Sequence, residues 1–153
     1  LLPSWVKDPK TFPLVINARA DSLLDKPTFR AALRRRRCIF LADAFYEWRR
    51  EGRTRTPYAI RRADGGPLAF AGLWETWHAA DGGDIDTAAI VTTDTNATLA
   101  PVHDRMPAIL GTQDFEPWLA GEAVDPRDAV ALLRPCPEDW LTLFPVSARV
   151  NKV

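Results

Sequence analysis

The sequence predicts an α+β domain, a bent, mostly antiparallel sheet or open β-barrel with small flanking helices, and three observations predict it. The 153 residues are 46% hydrophobic, enough to bury one sizeable core without disulfides or metals. The 13 prolines and 8 glycines are spread along the whole chain, which favours short elements and tight turns over a long helical bundle. Short apolar runs follow one another in sequence, and strands so connected favour an antiparallel sheet over a parallel α/β one.

Taken in order, Leu14 to Ala18 reads as a short strand. Lys26 to Arg37 reads as a helix, with Asp25 as N-cap and Pro27 near the first turn. Phe29, Ala32 and Leu33 share one of its faces, and Arg34 to Arg37 crowd its end, where cations suit the helix dipole. Cys38 to Trp48 makes one or two buried strands, followed by a polar turn at Glu51-Gly52-Arg53. Pro57 to Arg62 and Pro67 to Trp77 read as strands joined in a hairpin at Asp64-Gly65-Gly66. Asp81-Gly82-Gly83 is a further turn, Asp86 to Thr93 a strand, Thr95 to Leu99 a single helical turn, and Ala108 to Leu110 a strand. Gln113 to Ala120 forms a short helix, Asp125-Pro126 opens another running to about Leu133, and Trp140 to Val146 is the last strand. No repeat or domain boundary interrupts residues 1–153, so a single domain is expected.

Composition narrows the function classes. Cys38 and Cys136 are too few for a disulfide scaffold and lie in no metal-binding spacing, so a reducing, cytoplasmic setting is expected, with no metal or cofactor. No apolar run reaches the roughly 20 residues of a membrane span. The chain opens Leu1-Leu2-Pro3-Ser4-Trp5, without an initiator Met, so the natural start is expected upstream and the domain N-terminally incomplete. The formal net charge is zero, yet residues 1–62 carry 15 Lys+Arg against 6 Asp+Glu and residues 63–153 carry 5 against 14. Such a split can give a neutral protein a basic face for phosphates, or simply two solvated surfaces.

Walker, GxGxxG, HExxH and GxSxG motifs are absent. What stands out is polar residues set among apolar ones: Asn17 and Arg19, Glu47 within Phe45-Tyr46-Glu47-Trp48, and His103-Asp104-Arg105-Met106-Pro107. In an extended segment Glu47 shares a face with Phe45, and so aromatic a setting raises a carboxyl pKa toward the range of a general acid or base. An ion pair with an arginine such as Arg19 is the alternative. His103 beside Arg105 is either an anion or transition-state site or a structural or exposed histidine. Trp5, Phe29 and Trp48 are either platforms for unpaired bases or core, and Arg34 to Arg37 either a solvated helix end or phosphate contacts.

In order along the chain, Leu1 to Trp5, Asn17 to Ala20, Arg37-Cys38 through Trp48, Phe70 to Glu75, Ile90 to Thr93, His103 to Pro107 and Pro145 to Ser147 with Val150-Asn151 resemble the SRAP domain family. The resemblance spans the chain. It implies a monomeric, SOS-response-associated protein acting on single-stranded DNA with abasic sites. An N-terminal cysteine, exposed by removal of Met, would form a thiazolidine crosslink with the ring-opened sugar. By motif match Asn17 would hold the cysteine end, Glu47 would handle protons and His103 would assist at the sugar or phosphate. Arg19 and Arg105 would grip phosphates, and Trp5 and Phe29 match positions near an apolar wedge and DNA groove. The family's Cys-Gly-Arg start is absent, and neither Cys38 nor Cys136 can replace it, because a thiazolidine needs amine and thiol on one residue. Two further readings are a cysteine-type, self-processing peptidase using Glu47 and His103, and a DNA-binding module without chemistry.

Overall fold

The computed structural model describes residues 1–151. Eight strands form two open sheets. The five-stranded sheet contains β1 (Asn17–Arg19), β2 (Arg37–Ala42), β5 (Leu68–His78), β6 (Asp84–Asp94) and β7 (Arg105–Pro107), in the order β1-β6-β5-β2 with β7 also on β6. The three-stranded sheet is β3 (Phe45–Glu51), β4 (Thr54–Arg62) and β8 (Leu141–Pro145). Every ladder is antiparallel except β1 with β6, where Asn17 faces Ile90 and Arg19 faces Thr92. Helices α1 (Pro27–Arg35), α2 (Thr112–Leu119) and α3 (Pro126–Ala131) flank the larger sheet.

The run Leu68-Ala69-Phe70-Ala71-Gly72-Leu73 is buried at every position, as a central strand covered on both faces requires. On one side Ala71 and Leu73 join Phe29, Leu33, Trp118 and Ala129 from the helices. On the other, Leu68 and Phe70 meet Ile60 and Leu141 of the smaller sheet, together with Met106 and Leu99. Gly72 lets Phe40 cross the strand, since a Cβ there would lie 2.2 Å from the Phe40 ring.

Several expectations require correction. The Asp64-Gly65-Gly66 turn is no hairpin: β4 pairs with β3 and β8, whereas β5 pairs with β2 and β6, so the chain changes sheets there. The turn is held instead by Asp64, whose carboxylate accepts from Gly66 N at 2.9 Å and from Arg62 Nη2 at 2.6 Å. Hairpins lie instead at Gly52 (φ +59°), where Glu51 faces Thr54, and at Asp81-Gly82-Gly83, where His78 faces Asp84. Helix α1 stops at Arg35, because Arg37 is drawn into β2 opposite Leu73, and its N-cap is Lys26 rather than Asp25. The first strand begins only at Asn17, since Leu14 and Ile16 are exposed and pairing with β6 starts there. The single turn expected over Thr95 to Leu99 is present, closed by Ala100 N on Asn96 O at 2.9 Å and capped by Asn96 through Leu99 N at 3.0 Å. Around Ala108 to Leu110 the strand is β7, three residues earlier, and Ile109 makes only an isolated bridge to Phe70.

Candidate active site

A cleft of about 380 Å³ opens between the two sheets, lined by Asn17 and Arg19 of β1, Phe45, Tyr46 and Glu47 of β3, Thr92 of β6, and His103 and Arg105 through Pro107. Strand alternation explains who faces it. Ala18 is fully buried in the core, so Asn17 and Arg19 on either side of it point outward. The register that sets Arg19 beside Thr92 brings β1 to the place where β6 turns to pair with β7.

Glu47 approaches from the smaller sheet, and its carboxylate lies 3.9 Å from His103 Nε2. Burial pushes the Glu47 carboxyl above the usual carboxylate range, while the facing imidazole pulls in the opposite direction. The backbone N–H of Arg105 donates to His103 Nδ1 at 3.0 Å. The same Nδ1 also lies 3.1 Å from Arg105 O and 3.2 Å from Asp104, so the Arg105 backbone and Asp104 fix the ring with its Nε2 toward Glu47. A half-buried carboxyl with raised proton affinity and an oriented imidazole across a cleft form a pair that can pass a proton to or from a molecule between them.

The cations are held separately. Arg105 Nη1 lies 2.8 Å from Asp94 and Nη2 donates to Thr92 O at 2.8 Å, while its Nε is buried without a partner. Arg19 Nη2 lies 2.6 Å from Asp21. The carboxylate partner of Arg19 is therefore Asp21, and the ionic neighbour of Glu47 is His103, so an Arg19–Glu47 pair does not form.

Asn17, Arg19, Glu47, His103 and Arg105 thus line one cleft. Two sequence candidates do not join them. Phe29 is 4% exposed beneath α1 and packs in the helix-side core, which leaves it no face for a base and corrects its reading as a DNA contact. Trp5 is exposed, with its ring edge-on to Phe12, but the backbone beside it is moored where Trp77 Nε1 donates to Val6 O. Trp77 faces Ile85, and Thr92 lies seven residues further along β6, roughly 20 Å away at about 3.3 Å per residue. Trp48 is half-buried and donates to Asn151. The arginine run is mostly structural: Arg35 pairs with Glu122, Arg36 with Glu75, and the buried Arg37 donates to the carbonyls of Leu33, Trp118 and Gly121.

Tyr46 and Thr92 lie in segments that carry the family resemblance without being singled out as site residues, and Asp21 and Asp94 carry no mark in the sequence, although Asp21 stands only two residues from Arg19. Their roles depend on register, which no local pattern encodes. Neither cysteine suits nucleophilic chemistry: burial raises the Cys38 thiol and pushes Cys136 up to about 11. Among the described residues, no group of three or more His, Cys, Asp or Glu could hold a metal ion, and no helix is long and apolar enough to cross a membrane.

Residues 1–153 match the family described as SOS response associated peptidase (SRAP). The chain is 41% identical over 152 residues to the abasic site processing protein YoqW of Bacillus subtilis (strain 168), covering 99% of this chain and 68% of that protein. It is 33% identical over 174 residues to the abasic site processing protein HMCES of Xenopus tropicalis, of which it spans 51%. Among solved structures, a protein from Bacteroides thetaiotaomicron superposes with a TM-score of 0.91 at 30% identity, over 100% of this chain and 69% of that one.

Proposed function

The chain belongs to the SRAP family, and on that premise we propose that it processes abasic sites in single-stranded DNA by holding the open sugar between Glu47 and His103. The observation that carries this reading is their approach to 3.9 Å across a cleft that also presents Asn17, Arg19 and Arg105. The ring-closed sugar must open before its aldehyde can react. Glu47, with its raised proton affinity, takes the hydroxyl proton, and the His103 imidazole, whose Nε2 faces the cleft, returns a proton to the ring oxygen. Arg19 and Arg105, on the same cleft, hold the phosphates on either side of the missing base, exchanging their contacts with Asp21 and Asp94 for phosphate oxygens.

The covalent step falls to an N-terminal cysteine, which residues 1–153 do not contain. Its α-amine adds to the aldehyde carbon and water leaves, giving an imine. The thiol then adds to the imine carbon and its proton passes to nitrogen, which closes the thiazolidine without an oxidant or reductant. Cys38 and Cys136 are internal, with their nitrogens in peptide bonds, so residues 1–153 alone form no such crosslink.

The test mixes the protein carrying its natural upstream sequence with single-stranded DNA bearing one abasic site, on a denaturing gel. A shifted band is expected with that strand and not with intact DNA, forming about 100-fold more slowly in Glu47→Ala. No shifted band, with the N-terminal cysteine confirmed by mass, overturns the reading. The family's description as a peptidase favours a second one, in which Glu47 and His103 serve amide cleavage, and release of a short N-terminal peptide in the absence of DNA would select it.

A further inference from the structure

The outward face of the smaller sheet is built unlike an ordinary solvated surface. Pairing of Tyr46 with Ala59 and of Ala59 with Phe144 sets Tyr46 and Phe144 on one face of β3-β4-β8. Trp48 opposite Pro57, Arg50 opposite Arg55 and Arg61 opposite Thr142 share that face. The reverse face carries Ile60 and Leu141, both buried against the larger sheet. A strand with one face in the core ordinarily turns mixed polar residues outward. Here the outward face holds three aromatics, three arginines and no acidic residue.

Four details separate this face from chance. Tyr46 is 48% exposed and Phe144 38% exposed, so their rings are open to solvent. Arg61 lies over the Phe144 ring at 5.1 Å, forming a combined cation and aromatic surface. Arg50 and Arg55 stand directly opposite each other across the ladder, a placement that repels. None of Arg50, Arg55 and Arg61 pairs with a carboxylate among the described residues, whereas Arg19, Arg35, Arg36, Arg49, Arg62, Arg105 and Arg134 each do. A face that keeps its cations apart from acids and its rings exposed is complementary to a polyanion that brings its own flat apolar groups.

We propose that this sheet face, through Tyr46, Phe144, Arg61 and the Arg50–Arg55 pair, is a second binding surface for single-stranded nucleic acid, on which bases outside the cleft stack. Tyr46 also lines the cleft, which makes the two surfaces continuous. From Tyr46 to Phe144 is two strand spacings, about 10 Å, a span over which an extended strand can lay successive bases. The inference rests on the proposed action on single-stranded DNA and adds to it a track for the flanking strand. Stacking there is indifferent to base identity, because every base offers a ring face.

The experiment measures equilibrium binding of the protein with its natural upstream sequence to labelled oligothymidylates holding one central abasic analogue that cannot ring-open. A strand of about 4 nucleotides is compared with one of about 16. Phe144→Ala should weaken the long strand about tenfold and leave the short one unchanged. Arg50→Gln with Arg55→Gln should lower the salt slope for the long strand by about 0.7 for each phosphate that is no longer neutralised. The same double variant should keep or raise the thermal midpoint, since it relieves a repulsion, and this separates loss of binding from loss of fold. A long strand whose flanks are sugar-phosphate without bases should bind the wild type as weakly as the oligothymidylate binds Phe144→Ala. Equal binding of the long strand by wild type and all variants overturns the inference while leaving the cleft reading intact, and would assign the face to protein contacts. If the wild type binds neither strand, the action on single-stranded DNA fails and the inference fails with it.

Discussion

Burial works against ionisation of the Glu47 carboxyl. Burial places its folded-state pKa above the ordinary 4.5. Across the window from 4.5 up to the raised value, the folded chain binds more protons than the unfolded one, so the contribution of this group to stability falls as pH rises. Glu47→Gln should therefore raise the thermal midpoint at pH 7 relative to wild type, with the gap closing near pH 4. Thermal melts across pH check this, and a lower midpoint at pH 7 would contradict the burial argument. Arg37 presents the opposite case: it is 5% exposed and answers three backbone carbonyls without a carboxylate. Arg37→Met keeps the apolar stem but strands those carbonyls, and urea unfolding should show a loss of about 2–4 kcal/mol. The sequence marks Glu47 because a carboxylate between aromatics is unusual on its own. It cannot mark Arg37 as different from Arg34, since only the contact with Trp118 and Gly121 distinguishes them.

At the scale of elements, what is legible in the sequence is what is local. Asp125 caps α3 as its sequence suggests, accepting from Arg127 N at 2.7 Å, and Phe29, Ala32 and Leu33 share the buried face of α1. What is not legible is partnership. Gly65-Gly66 after Asp64 has every mark of a hairpin, yet β4 finds its second partner some 80 residues later in β8, by the pairing of Arg62 with Leu141. The hairpin at Gly52 lacks a paired-glycine signal but has the backbone that requires glycine, φ +59°. Gly52→Val should cost about 1–2 kcal/mol by denaturant unfolding, because a branched side chain resists that conformation. Gly72→Ala tests packing instead: its Cβ would displace the Phe40 ring, and a loss of about 1–3 kcal/mol is expected in the same assay.

The whole molecule explains why the site is where it is. The cleft borrows Glu47 from one sheet and Asn17, Arg19 and Arg105 from the other, so any ligand that fills it must bridge both. Hydrogen exchange with a bound abasic strand should accordingly slow amides in β3 and β7 together, and slowing confined to one sheet would count against a bridging ligand. The contrast in charge between the two halves of the sequence is only partly realised as separate surfaces. Arg50, Arg55 and Arg61 stand apart from acids on one face, but Arg35 and Arg36 pair across the halves with Glu122 and Glu75.

The change of sheet at Asp64-Gly65 bears on how the protein is made. β4 is laid down early, next to β3, but its outer edge stays open until β8 is synthesised. On a ribosome translating toward residue 141, that edge is an unsatisfied row of backbone donors and acceptors. Arg61 and Arg62, charged residues within the stretch that β8 later covers, are of the kind that disfavours pairing of an open edge with a second nascent copy.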